Sequence, residues 1–206
     1  MISPAEGLLR LKDGNRRFLE GATRADSLVT EARRKALVRE QYPFAIILGC
    51  SDARVPAEII FDQGLGDLFV IRVAGNIVAP SQIGSVEFAA ERFGTKLVVV
   101  LGHTGCGAIA ATLEELRRPA ESPSPNLRSI VDRVRPSMEA LFEGSIPPDD
   151  AALEHRAVRA NIRASVNQLR HGSAILERLI DFGGLRVVGA EYNLETGEVD
   201  FFEGQG

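Results

Sequence analysis

Cys50 and Cys106 are the only cysteines in the chain, and each stands directly after an apolar run and beside ionisable neighbours. Cys106 lies within Gly102-His103-Thr104-Gly105-Cys106-Gly107, a histidine and a thiol three residues apart, while Cys50 opens Cys50-Ser51-Asp52-Ala53-Arg54. Two thiolates and one imidazole occupy three corners of a zinc tetrahedron, and a catalytic zinc keeps the fourth for water or substrate. Asp52 is close enough to Cys50 along the backbone either to touch such a metal or to turn away from it. Arg54 can hold it away through a charge-assisted, bidentate pair. Zinc lowers the pKa of its bound water, so the implied chemistry is a hydroxide nucleophile available near neutral pH.

Three segments can bring these residues together. Phe44–Gly49, Leu68–Val73 and Lys96–Leu101 are short continuous apolar runs, the pattern of strands buried on both faces. A short helix over Pro56–Phe61 and a longer one over Ser81–Phe93, stopped by Gly94, alternate with them. Such alternation predicts an α/β fold with a central, mostly parallel four-stranded sheet and helices on both faces. The fourth strand is Leu185–Tyr192, and a turn at Thr196-Gly197 leads into an antiparallel edge strand over Val199–Phe202. In open α/β sheets ligands bind where neighbouring strands send their crossovers to opposite faces. If the first and third strands are neighbours, Cys50, His103 and Cys106 converge at that point.

Ahead of the sheet, Ser3-Pro4-Ala5-Glu6 reads as a capping box that opens a helix to about Glu20, and a second helix runs from Thr30 to about Glu40. Together they form an N-terminal helical extension. Proline- and serine-rich loops are expected over Pro119–Pro125 and Gly144–Asp150, with helices over Asn126–Phe142, Asp150–Arg170 and Ser173–Phe182. No internal repeat or second domain is apparent, so residues 1–206 read as a single domain.

Composition excludes several classes. A formal charge of −4 supplies no basic field for nucleic acid. No apolar run approaches the ~20 residues of a membrane span, and the N-terminus lacks the pattern of a secretory signal. The chain therefore reads as cytoplasmic. Two cysteines cannot make a disulfide framework; a single Cys50–Cys106 bridge is the other use for them, which a reducing compartment disfavours.

Cys50-Ser51-Asp52-Ala53-Arg54-Val55, Val73-Ala74-Gly75-Asn76 and Gly102-His103-Thr104-Gly105-Cys106-Gly107 together resemble the signature of the β-class carbonic anhydrases. The similarity runs from the Asn15-Arg16-Arg17-Phe18 helix to the last strands; the departure at Ala53, where serine is usual, alters neither ligand nor dyad, and Phe88 stands where tyrosine is common. The resemblance implies one zinc per subunit on Cys50, His103 and Cys106, with Asp52 and Arg54 as the catalytic dyad. It implies reversible hydration of carbon dioxide to bicarbonate and a proton by zinc-bound hydroxide. Gln41, nine residues before Cys50, matches the glutamine that donates to bicarbonate, and Phe69 and Phe88 match the aromatic pocket wall. Ile47 stands where relatives with an inhibitory bicarbonate pocket carry tryptophan, so no such pocket is expected. A homodimer or homotetramer is also implied, with residues 1–41 as an arm on a neighbouring subunit and pocket residues drawn from opposite subunits.

Rival readings use the same residues differently. Some relatives act on carbonyl sulfide or carbon disulfide at the same zinc, and a zinc-stabilised binding module would show no turnover. A closed structural site has no need of both Asp52 and Arg54, which argues against the module. A cysteine-nucleophile hydrolase lacks a third orienting group. His155 and His171 sit in strongly charged helices and read as solvated.

Overall fold

The computed structural model describes residues 2–24, 28–118, 124–139, 141 and 150–204. Its centre is a five-stranded sheet in the order β2-β1-β3-β4-β5. The strands are β1 (Ala45–Gly49), β2 (Leu68–Arg72), β3 (Leu97–His103), β4 (Arg186–Tyr192) and β5 (Val199–Glu203). The first four are parallel and β5 runs antiparallel to β4, as the runs of apolar residues predict. β1 and β3 are buried along their whole length, whereas β2, at the edge, is only half-buried.

Side chains alternate between two apolar layers. Ile46, Leu48, Val98 and Val100 face one, together with α4 (Pro80–Phe93), α5 (Gly107–Arg117) and α8 (Asp150–His171). Ile47, Val99 and Leu101 face the other, with α1 (Pro4–Leu19) and α3 (Ala57–Ile60). The connection from β1 to β2 thus crosses one face, and those from β2 to β3 and from β3 to β4 cross the other. The direction of travel across the sheet reverses between β1 and β3, so a crevice opens beyond their carboxyl ends.

Differences from the expected elements have local causes. α2 (Glu31–Ala36) is capped by Thr30, whose hydroxyl accepts from the Arg33 amide, but ends before Glu40. The helix expected over Asn126–Phe142 is divided into α6 (Pro125–Val134) and α7 (Pro136–Glu139), because Pro136 brings no amide hydrogen to the ladder. Residues 140 and 142 of that span, and most of the two proline-rich loops, lie outside the described residues. α9 (Ala174–Gly183) ends at Gly184, which takes the left-handed conformation at φ 71°. α5 follows Cys106 without having been expected. Its cap position holds a cysteine with no side-chain cap bond, so the usual start signal is missing.

The Ser3–Glu6 capping box forms, with the Ser3 amide 2.7 Å from Glu6 Oε2 and the Glu6 amide 3.2 Å from Ser3 Oγ. α1 lies against its own sheet through Leu8 and Leu11. It comes so close at Gly14 that a Cβ there would sit 1.8 Å from the Phe61 carbonyl oxygen. Partly buried ion pairs fasten the same helix: Arg10 reaches Asp67 at 2.7 Å and Arg17 reaches Asp62 at 2.5 Å, while the Arg24 amide donates to Asp62 at 2.8 Å. Burial alone would raise the Asp62 carboxyl, and the bonds from Arg17 and Arg24 outweigh it, so the group is held below its usual range. Asp62→Asn should therefore destabilise the chain by about 3 kcal/mol at neutral pH, since it leaves Arg17 without its charge partner. A depressed carboxylate contributes above its unfolded pKa and loses that contribution as pH falls. Urea unfolding of both proteins at neutral and acidic pH should show the gap closing in acid.

Candidate metal centre

β1 hands its last residue, Gly49, to Cys50, and β3 ends on His103; Gly49 pairs in register with Leu101. Cys50 thus emerges level with the end of β3. After His103 the chain turns through Gly105 at φ 63°, in the left-handed region that glycine tolerates, and Cys106 comes back to head α5. The Cys50 and Cys106 sulfurs are 4.0 Å apart, both thiols are free, and the ligand atoms of Cys50, His103 and Cys106 all lie within 4.8 Å of one another. Sulfurs on two corners of a tetrahedron with bonds of about 2.3 Å stand about 3.8 Å apart.

The donor chemistry fits a metal as well as the spacing does. His103 is fully buried, and its Nδ1 donates to the Thr104 carbonyl at 2.9 Å, which leaves the Nε2 lone pair facing the thiols. That Nε2 is buried and makes no well-formed hydrogen bond; only the Cys50 sulfur faces it as a polar neighbour. A buried polar atom without a well-formed hydrogen bond costs about 1–3 kcal/mol, so its retention points to a ligand. Hydrogen bonding between the sulfurs splits the thiols: the Cys50 thiol is drawn well below its ordinary value, and bonding to Cys50 together with burial pushes Cys106 well above it. A divalent cation between the sulfurs would favour both as thiolates. Backbone amides already face the sulfurs, from Asp52 and Gly75 for Cys50 and from Ala108 and Ile109, in the first turn of α5, for Cys106.

Asp52 sits at the rim. Arg54 donates from Nε to Oδ1 at 2.9 Å and from Nη2 to Oδ2 at 2.7 Å, its amide adds a third bond to Oδ1 at 2.9 Å, and Nη2 also reaches the Gly105 carbonyl at 3.1 Å. These bonds, ahead of an opposing effect of burial, hold the carboxyl well below the usual range, so Asp52 is an anion at any ordinary pH. Its Oδ2 is 3.9 Å from His103 Nε2, close to the ligands without joining them.

Gln41, Phe69 and Phe88 are not brought to this site within one chain. Gln41 is exposed ahead of β1, beside Arg92 and Phe93. Phe69 pairs in register with Ile46, four residues or about 13 Å short of Cys50 along the strand. Phe88, 55% exposed, packs with Phe69 and Phe93 at ring-centroid distances of 6.3 and 5.5 Å. All three cluster toward the opposite end of β1 and β2.

Sequence reasoning passed over the supports. Asn161 donates to the Gly75 carbonyl at 2.8 Å and Ser165 to the Asn76 carbonyl at 3.1 Å, fixing the turn that offers Gly75 to Cys50. Their signal was two polar residues four apart on a stripe otherwise made of Val158, Ile162 and Val166. His155, expected to be solvated, is half-exposed but stands 3.2 Å from the buried Glu191.

Residues 45–199 match the family described as carbonic anhydrase. The chain is 39% identical over 199 residues to a carbonic anhydrase of Mycolicibacterium smegmatis, covering 96% of this chain and 93% of that one. It is 38% identical over 195 residues to carbonic anhydrase 2 of Mycobacterium tuberculosis, covering 95% and 91%. Among solved structures, the β-carbonic anhydrase CcaA superposes with a TM-score of 0.75 at 26% identity, covering 98% of this chain and 93% of that one. A β-carbonic anhydrase from Sordaria macrospora has the same fold, with a TM-score of 0.74 at 24% identity over 82% and 85% of the two chains.

Proposed function

Because the chain belongs to the β-class carbonic anhydrase family, we propose that it interconverts carbon dioxide and water with bicarbonate and a proton at one zinc ion held by Cys50, His103 and Cys106. What carries this reading is the meeting of two thiols and a buried imidazole nitrogen that makes no well-formed hydrogen bond at the ends of β1 and β3. A zinc ion with three protein ligands lowers the pKa of a water at its open position, so that a hydroxide nucleophile is available near neutral pH. The rest falls to side chains. Asp52 Oδ2, at the rim of the site, would accept a hydrogen bond from the nucleophile and orient it. Arg54 keeps the carboxylate charged and clear of the open position.

Gln41, Phe69 and Phe88 take their part from a second copy of the chain. β2 is an edge strand with unpaired backbone groups along its outer side, which favours pairing with another chain. The exposed apolar side chains of Ile2, Leu9, Leu19, Val29 and Val38 support residues 1–41 as an arm that packs on that neighbour. In a dimer built this way, the Gln41 amide of one copy donates to bicarbonate at the zinc of the other, and the phenylalanines form an apolar wall for carbon dioxide. The Sordaria macrospora relatives are described as tetrameric, in keeping with a homo-oligomer. Among the described residues no helix is long and apolar enough to cross a membrane. Free thiols at the site suit the reducing cytoplasm.

Metal analysis coupled to a stopped-flow hydration assay tests the reading. We expect one zinc per chain and rapid hydration of carbon dioxide. Loaded protein that hydrolyses carbonyl sulfide or carbon disulfide and leaves carbon dioxide untouched would move the substrate, and protein with no stoichiometric metal would overturn the proposal altogether.

A further inference from the structure

The carboxylate of Asp52 is gripped by Arg54, and its backbone is gripped by a different arginine. Arg72, the last residue of β2, donates from Nε to the Cys50 carbonyl at 3.0 Å and from Nη2 to the Asp52 carbonyl at 2.5 Å. Its Cα pairs in register with Gly49, immediately before the ligand segment. A guanidinium holds its donors in one rigid plane, so two carbonyls two residues apart are kept at a fixed spacing. The segment they bracket is short: Cys50 ligates, Asp52 orients, and the exposed Ser51 lies between them.

Strand pairing does not call for these bonds. β1 and β2 are in register from Ala45 with Leu68 to Gly49 with Arg72, and the Val73 amide donates to the Gly49 carbonyl at 3.1 Å just beyond. Nor does packing call for them, since Arg72 is exposed and fills no core space. What they do restrain is the direction in which the Asp52 side chain leaves the backbone. With Oδ2 only 3.9 Å from His103 Nε2, a small rotation of that backbone separates a neighbour of the metal from a ligand to it.

We infer that Arg72 is a positioning residue for the Asp52–Arg54 pair, fixing the Cys50–Asp52 backbone so that the carboxylate stays with Arg54 and leaves the metal's fourth position open. The inference rests on the zinc reading under Proposed function. It assigns the two arginines separate tasks on one aspartate, Arg54 at the side chain and Arg72 at the main chain.

The test compares wild type, R72M and R72K as full-length protein loaded with zinc for kinetics and with cobalt(II) for absorption spectroscopy. R72M should bind a full equivalent of metal, lose about tenfold or more in kcat with little change in KM, and show an altered visible cobalt spectrum as carboxylate enters the coordination sphere. R72K, whose ammonium cannot bridge both carbonyls in a fixed plane, should fall between. An R72M protein that melts earlier yet keeps the wild-type kcat and cobalt spectrum assigns Arg72 a purely structural role and overturns the inference. Should R72M not fold, R72K with wild-type rate and spectrum overturns it equally. A wild-type protein that hydrates carbon dioxide while R72M matches it leaves the zinc reading intact and sinks this inference alone; a wild type that takes up no metal sinks both.

Discussion

Arg54→Ala should lower kcat by about a hundredfold while leaving zinc bound at full stoichiometry, with Asp52 found as the metal's fourth ligand. The size of the effect follows from removing a preorganised charged donor at the reacting centre, which costs on the order of 10²–10³ in kcat. Its direction follows from the geometry. Arg54 supplies three bonds to one carboxylate, two from the guanidinium and one from its amide, and alanine keeps only the amide. Side-chain exposure is 17% at Asp52, so little water is at hand to replace the lost donors. The nearest strong partner for a sparsely solvated carboxylate is then a divalent cation. X-ray absorption on the zinc protein reads the ligand set directly, and an oxygen donor at bonding distance that survives addition of bicarbonate is expected in the variant. Wild-type turnover, or a lost activity with no change in coordination, would remove Arg54 from the role given to it. Arg54→Lys should recover only part of the rate, because an ammonium cannot engage both oxygens in the plane of the fork.

How much of this was readable in the chain depends on where the determining interactions lie. β1 and β3 were legible because a strand buried on both faces reads as a near-continuous apolar run, and theirs are short and rich in β-branched residues. The candidate ligands were legible because thiols are rare in the chain and both follow such strands, so type and position coincide at Cys50 and Cys106. The adjacency of β1 and β3, which brings the two ligand segments together, was a condition at the sequence level and is a pairing in the fold. Long-range supports left weaker traces. Asn161 and Ser165 act on a turn more than eighty residues away, and only their polarity within an apolar stripe marks them. α5 escaped because Cys106 occupies the position where a hydroxyl or carboxylate would announce a helix. Arg72 left no trace at all, since an arginine at the end of an edge strand is ordinarily a solvated residue. Gln41, Phe69 and Phe88 come from the resemblance, not from local pattern, and within one chain they lie toward the other end of β1 and β2 from Cys50, His103 and Cys106.

Removal of the metal should have the largest effect on stability of any change to the site. Cys50, His103 and Cys106 are 5%, 0% and 1% exposed, and they join the ends of β1 and β3 to the start of α5. Without a cation the three are a poor core: two sulfurs lie 4.0 Å apart beside a buried imidazole nitrogen that makes no well-formed hydrogen bond. A ligand present at a thousand times its Kd stabilises the folded state by about 4 kcal/mol. For a chain of this length that amounts to about 8–16 °C in Tm. The sheet itself should survive, because the strands and both apolar layers are complete without the site, so the metal-free protein is expected to be folded and less stable. Differential scanning calorimetry before and after chelation, then with zinc restored, measures the increment. The increment should shrink as pH falls, because protons compete with the metal for the thiolates and the imidazole. Cys106→Ala supplies the control: it should melt near the metal-free wild type and respond to neither chelator nor zinc. A wild-type protein whose melting is unmoved after its zinc has been removed stoichiometrically would mean that the ligand set is held in place by the sheet alone, with the metal adding chemistry and no cohesion.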